Sequence, residues 1–256
     1  MTFTALVMAA SRGGAADALA RAGGTTHKSL VKVAGIPMLT RVIAALSASP
    51  SIGRIYVSTQ DPTDAAGTPA TVIPSRPTLA DSVIAAAAAM GDGAFPLLIT
   101  TADNALHTPA MIEAFCAATR NAACDVTVAM TPAEIILARY PTGARAFHPF
   151  KDGPASSCNL YALCNPRALA AAQSFAGGGQ FGKKPWRLIG AFGVATFALY
   201  KLRRLTLDDA MRRIGRAFGL NVRAVRLMYA EAPIDIDTPE DLALAEKILA
   251  TRVDRS

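Results

Sequence analysis

One stretch constrains this chain more than any other: Thr2 to Leu46, TFTALVMAASRGGAADALARAGGTTHKSLVKVAGIPMLTRVIAAL. It begins with an apolar run, Phe3 to Ala9, which reads as a strand, and passes through a loop of small residues with two glycine pairs to Lys28. Pro37 then opens a helix, because Met38, Leu39, Val42, Ile43 and Leu46 fall at helical spacing and a proline costs nothing in a first turn. The unit is therefore strand, long loop, helix. Its loop has a chemical use: the small residues Ala9, Ala10, Ser11, Gly13 and Gly14 let a ligand approach backbone N–H groups, and Lys28 adds a point charge. A nucleoside triphosphate fits such a loop, and so does the plainer reading of a flexible connection. Neither the Walker glycine spacing nor the dinucleotide fingerprint is present.

Farther along, apolar and β-rich runs at Arg54–Thr59, Ala70–Ile73, Phe95–Thr101 and Asp125–Met130 predict strands, separated by helices at Leu79–Met90 and Pro109–Arg120. Ala144–Phe150 and Ser156–Leu163 read as two strands joined by a turn at Lys151, Asp152 and Gly153. Leu207–Phe218 is a further helix and Val222–Met228 a short strand. This alternation, in 256 residues that are 52% hydrophobic, predicts one large α/β domain over 1–256: a Rossmann-like mixed, mostly parallel sheet flanked by helices. The order LVMAASRGG, then HKSLVKVAGIPMLTRVIAAL, resembles the start of the nucleotidyltransferases that share a glycosyltransferase-A-like fold. Molybdopterin-guanylyltransferase-like proteins and the cytidylyltransferases of isoprenoid and Kdo synthesis belong to that superfamily. Its pattern has a loop AAGxGxR, a lysine and a segment LxxVxGxPML; here Ser11 stands at the first glycine and Arg12 is displaced from the usual arginine.

Acidic residues supply the next candidates. Asp103 follows the strand Phe95–Thr101, and the carboxyl end of a parallel strand is where an open sheet binds its ligand. A carboxylate there suits magnesium, which takes one or two carboxylates plus substrate phosphates, although such a residue also caps helices. The resemblance implies the metal role for Asp103, since LLITTADNALHTPAMIEAF is similar to the superfamily's xxVxxxDxPxxxxxxI with Ala105 at the proline. Asp235 and Asp237 alternate along an extended segment, with Thr238 and Asp241 set to cap a helix opened by Pro239. That close, DTPEDL, resembles the end of the superfamily's catalytic domain and implies that Asp237 is the second metal ligand, with Asp235 a lesser candidate.

Three further positions concern the two substrates. TLADSVIAAAAAM resembles the RxDSVxxGL segment beside the nucleobase, which implies nucleotide contacts for Asp81 and Ser82; helix initiation explains the same two residues. SSCNLYAL resembles the strand NxGxYxF on the acceptor side, and Asn159 could hold a ribose or acceptor hydroxyl or simply end a strand. From 175 to 204 runs an insertion in which Lys183, Lys184, Trp186 and Arg187 precede an apolar segment closed by Lys201, Arg203 and Arg204. It is too short to span a bilayer; it suits acceptor-phosphate binding through Lys183 and Lys184, a peripheral membrane contact, or a buried helix with solvated ends.

The net charge of +7 and pI near 9.5 favour anionic partners, but aromatic residues are not interleaved with the basic ones as a nucleic-acid groove requires. Cys116, Cys124, Cys158 and Cys164 lack zinc spacing and read as reduced thiols; with no signal peptide or membrane span the expected location is the cytoplasm. The resemblance implies magnesium-dependent transfer of an NMP from an NTP to a sugar- or alcohol-phosphate acceptor, with pyrophosphate release and CMP ahead of GMP. Lys28 and Arg12 would stabilise developing charge. A glycosyltransferase of the same fold and a non-catalytic nucleotide-binding or membrane-associated regulator are the alternatives. The acceptor and the oligomeric state stay open.

Overall fold

The computed structural model describes residues 2–10, 17–141, 146–173 and 194–253. Seven strands form one sheet: β1 (Phe3–Met8), β4 (Ile52–Thr59), β5 (Thr71–Pro74), β6 (Leu97–Thr101), β7 (Val126–Pro132), β8 (Ala155–Leu163) and β9 (Val222–Arg226). Their order is β5-β4-β1-β6-β8-β7-β9, with β8 antiparallel to both its neighbours and the other pairings parallel. A two-stranded ribbon, β2 (Lys32–Val33) and β3 (Ile36–Pro37), lies apart. The predicted mixed, mostly parallel sheet is therefore the observed one. From β1 the chain moves outward to β4 and β5 and then returns to β6 on the other side. The switch in direction thus falls between β1 and β6, where open α/β sheets open a crevice at the carboxyl ends of their strands.

Every residue of β1 is buried, as a strand covered on both faces requires. On one face α2 (Met38–Ser47) contributes Leu39, Val42, Ile43 and Leu46, and α4 (Pro109–Ala122) contributes Met111, Ile112, Phe115 and Cys116. The other face is covered by α3 (Leu79–Met90) and by the helices Leu169–Gln173 and Leu207–Phe218, through Val83, Ala86, Ala171, Ala210 and Met211 among others. The five apolar positions that marked α2 in the sequence are all buried; its first residue is Met38, and Pro37, pairing with Lys32 in the ribbon, is its cap.

Three local features depart from the sequence reading. The loop between β1 and α2 contains α1 (Ala18–Ala22), a 3-10 turn (Lys28–Leu30) and the ribbon, whose tip Ala34–Gly35 has positive φ at both residues, the backbone of a tight hairpin turn. A helix, α5 (Ala133–Arg139), follows β7 directly. The strand expected over 144–150 reduces, among described residues, to one bridge between His148 and Ala155, because Pro149 has no N–H to continue a ladder. Of the stretch 175–204 the structure describes residues 194–204, with the helix Val194–Lys201 lying on Leu207–Phe218 and Tyr200 edge-on to Phe150 at 6.4 Å. No helix among the described residues is long and apolar enough to cross a membrane.

Candidate active site

A third apolar cluster lies beneath the site and explains how residues so distant in sequence come together. It contains Leu19, Val31 and Val33 from the segment around Lys28, Ala105 and Leu106 from the turn after Asp103, Ile234 and Ile236 from the approach to Asp237, and Ala245 and Ile248 from the helix Pro239–Val253. In the extended segment 234–237 the side chains alternate: Ile234 and Ile236 are buried, while Asp235 and Asp237 lie on the opposite, more accessible side. The Ile236 N–H donates to the Asp103 carbonyl at 3.1 Å, which fixes the two acidic segments in register. The Arg252 guanidinium donates to the Leu106 carbonyl at 3.1 Å, so the C-terminal helix is tied to the same turn.

On this base the Lys28 ammonium bridges two carboxylates. It donates to Asp103 Oδ2 at 2.8 Å and to Asp237 Oδ1. Burial alone would lower its pKa; the attraction and hydrogen bond of Asp103, with those of Asp237, more than offset that and leave the ammonium above the ordinary lysine value. Lys28 is thus cationic throughout the physiological range. Asp103 is braced from behind by Thr101, whose hydroxyl donates to Asp103 Oδ1 at 2.5 Å. The same hydroxyl oxygen is 2.6 Å from the side-chain oxygen of Asn104, a fully buried residue whose amide nitrogen has no protein partner among the described residues. One hydroxyl proton serves one acceptor; with the Asn104 amide turned, its nitrogen donates to Thr101 and Thr101 donates to Asp103.

His107 closes the turn. Its Nε2 is 2.9 Å from the Ala232 carbonyl, and the Cys158 backbone also faces its ring. Complete burial pushes its pKa down to about 4, with these backbone bonds opposing the shift, so the ring is neutral at physiological pH. Neither Thr101 nor His107 stood out in the sequence, since TTADNALH carries nothing beyond its aspartate that distinguishes a brace from an ordinary turn.

The remaining candidates fall in different places. Ala9 and Ala10 follow β1, and the Ala9 N–H donates to the Ser58 carbonyl at 2.9 Å. Ser11, Arg12, Gly13 and Gly14 lie outside the described residues, as do Lys183 and Lys184. Asp81 exchanges bonds with Thr78, its carboxylate accepting from the Thr78 hydroxyl at 2.6 Å, and so begins α3. Ser82 is buried with its hydroxyl between the Arg76 N–H, at 2.8 Å, and the Arg76 carbonyl, at 3.3 Å; it shapes the turn entering α3. Asn159 has φ +50° where β8 bulges against β7, a left-handed conformation that asparagine tolerates better than most residues. Aligning the pattern NxGxYxF on Tyr161 puts its glycine at this position, so the backbone requirement accounts for the asparagine. Asp235 lies near Tyr161, whose phenol is raised by burial first and by the charges of Cys158 and Asp235 after it.

Two carboxylate oxygens that meet at a single cation are a donor set of the kind magnesium accepts, its other positions being left to phosphate and water. Among the described residues no group of three or more His, Cys, Asp or Glu side chains gathers for a metal. A cleft of about 890 Å³ lies elsewhere, between α5, the 228–231 segment and the C-terminal helix; none of these carboxylates lines it.

Residues 5–218 match a protein family described as the MobA-like NTP transferase domain. Among solved structures, a hypothetical transferase from Thermus thermophilus is similar over 94% of this chain and 100% of its own, at 24% identity and a TM-score of 0.78. A CMP:2-keto-3-deoxy-manno-octonic acid synthetase complexed with CTP matches over 98% and 100%, at 16% identity and a TM-score of 0.60. A 2-C-methyl-D-erythritol 4-phosphate cytidylyltransferase, also from Thermus thermophilus, matches over 98% and 100%, at 15% identity and a TM-score of 0.55. These likenesses concern the fold. No curated protein matches the chain.

Proposed function

Because the chain belongs to the MobA-like NTP transferase domain family, whose chemistry is nucleotidyl transfer, we propose that it moves an NMP from an NTP to a phosphorylated small-molecule acceptor. The observation that carries this reading is the meeting of Lys28 with Asp103 and Asp237 at the carboxyl ends of β1 and β6. In the reaction an acceptor phosphate oxygen attacks the α-phosphorus, the α–β phosphoanhydride bond breaks, and pyrophosphate leaves. Negative charge crowds at every stage, so the protein's task is to align the groups and to supply fixed positive charge.

Asp103 and Asp237 would hold magnesium, which when bound offers hard positive charge to the phosphate oxygens. Lys28, released from the carboxylates as phosphates arrive, turns its ammonium to the triphosphate. The Thr101 hydroxyl and the Ile236 N–H hold Asp103 by its side chain and by its carbonyl, so that its oxygens stay aimed during this exchange. Asp81 and Ser82, at the start of α3, remain candidates for the nucleobase side, and Asn159, on β8, for the acceptor side. CTP is the favoured nucleotide: the ADSV segment is similar to a cytidylyltransferase motif, and one structural neighbour was solved with CTP. The acceptor belongs to the sugar or alcohol phosphates.

The test is a screen of the four ribonucleoside triphosphates with magnesium against a panel of sugar and alcohol phosphates, measuring pyrophosphate. Release with CTP and one acceptor, absent in Asp103→Asn, is the expected result. Acceptor-independent phosphate release, or turnover unchanged in Asp103→Asn, would contradict the proposal.

A further inference from the structure

Lys28 is preceded by a histidine with a partner that the proposed chemistry does not use. The His27 Nδ1 lies 3.2 Å from Asp64 Oδ1, and Thr59 donates its hydroxyl to Asp64 Oδ2 at 2.5 Å. A carboxylate only accepts, so Nδ1 carries the proton in this contact. Only 3% of the Asp64 side chain is exposed. A carboxylate so buried needs its partners, and the two identified side chains bond different oxygens of it. Thr59 is the last residue of β4, and Asp64 sits in the 3-10 turn Pro62–Ala65 just after it, a turn begun by Asp61, whose carboxylate accepts from the Thr63 N–H at 2.8 Å.

The backbone of His27 is fixed as well. Its carbonyl accepts from the Leu30 N–H and from the Thr25 hydroxyl, each at 3.1 Å. The dipeptide His27–Lys28 is therefore strung across the carboxyl end of β1: His27 holds it to the β4 side through Asp64, and Lys28 holds it to the β6 side through Asp103. These two attachments differ in one respect. A lysine ammonium sits on a flexible four-carbon stem, and in the proposed reaction it exchanges its carboxylates for phosphates. At that moment the ion pair of Lys28 with Asp103 is gone and the contact of His27 with Asp64 remains.

We propose that His27 and Asp64 are a positioning pair that fixes the backbone of Lys28, so that its ammonium reaches the site occupied by Asp103 and Asp237. The inference deepens the nucleotidyl-transfer reading in its account of what holds the lysine, and its geometry stands without a substrate. Neither residue touches the reacting atoms; both act through Lys28.

The experiment reads the acetylation rate of Lys28 by a neutral amine-directed reagent, quantified by peptide mass spectrometry against exposed Lys32 in the same molecule. Wild type is compared with His27→Ala, His27→Asn and Asp64→Ala. An ammonium held between two carboxylates reacts slowly; once its anchor is lost, Lys28 in His27→Ala should react about tenfold faster relative to Lys32. His27→Asn, whose amide can donate to Asp64 in place of Nδ1, should return the ratio towards wild type. Asp64→Ala, which removes the acceptor of the Nδ1 proton, should raise it and serves if His27→Ala does not fold. An unchanged Lys28 ratio in the folded His27→Ala or Asp64→Ala protein overturns the proposal, and so does a His27→Asn ratio as high as that of His27→Ala. Protection of wild-type Lys28 by magnesium and CTP is a separate arm: its absence counts against the nucleotidyl-transfer reading and leaves the positioning result intact.

Discussion

The Lys28 ammonium lies 2.8 Å from Asp103 Oδ2 although 75 residues separate the two in sequence. That ion pair links the loop after β1 to the turn after β6, on either side of the point where the sheet reverses its direction of growth. Asp237 joins it from near the end of the chain. The site is thus assembled from three loops resting on one apolar cluster, and each element of that assembly can be tested.

Lys28→Met should remove the positive charge that faces the triphosphate and reduce kcat by about 10²–10³-fold, the usual loss when one charge-stabilising donor is removed. Because the folded-state pKa of Lys28 is raised, its contribution to stability is complete below the unfolded value near 10.5 and is lost only as pH rises through the folded value. Melting curves at pH 7 and at pH above 10 check this: the difference between wild type and variant should be larger at pH 7.

His107 sets an acid limit to stability. Its pKa falls from 6.5 to about 4 on folding, so the unfolded chain binds a proton between these values and the folded chain does not. The contribution is therefore complete above pH 6.5 and is lost as pH falls towards 4, by about 3 kcal/mol over that window. Denaturant titrations from pH 7 to pH 4 should show this slope, and His107→Gln should flatten it.

The seat beneath Asp237 can be loosened without touching a charge. Ile236 is fully buried in the cluster that joins the three segments. Ile236→Ala should cost about 2–5 kcal/mol of stability by leaving a cavity. Below the melting range it should also weaken the magnesium dependence of nucleotide binding, because Asp237 follows Ile236 directly. Calorimetric unfolding and a magnesium titration well below the melting range measure the two effects.

The ribbon tip carries local strain. Exposed Ala34 has φ +47°, next to Gly35 at φ +79°. An alanine there is penalised by contact between its Cβ and the backbone, and asparagine suits this turn better. Ala34→Asn should stabilise the protein by about 0.5–1 kcal/mol. Thermal melting measures the gain, and nucleotide binding should be unaffected.

Much of this was legible in the sequence because the signals were local. β1, α2, α3 and the helix Leu207–Phe218 follow from runs of apolar residues at fixed spacing, and burial rewarded those patterns. Asp103 and Asp237 could be singled out because LLITTADNALHTPAMIEAF and DTPEDL resemble segments of the superfamily; the local pattern of Asp103 by itself is also that of a helix cap. Illegible were the contacts made across the sheet: His27 with Asp64 and His107 with Ala232. Neither has a sequence signature, because each depends on which strand lies beside which. Asn159 shows the opposite limit: its side chain suggested binding, while its backbone, at φ +50° in a bulge, shows what the position requires of any residue placed there.

In the proposed reaction Asp103 and Asp237 together present one cation to one triphosphate. Titration calorimetry of CTP binding, with and without magnesium, tests it most directly when wild type is compared with the Asp103→Asn/Asp237→Asn double variant. Magnesium-dependent binding is expected in wild type, with loss of that dependence in a double variant that still melts cooperatively. Equal, magnesium-dependent binding of CTP by both proteins would contradict it.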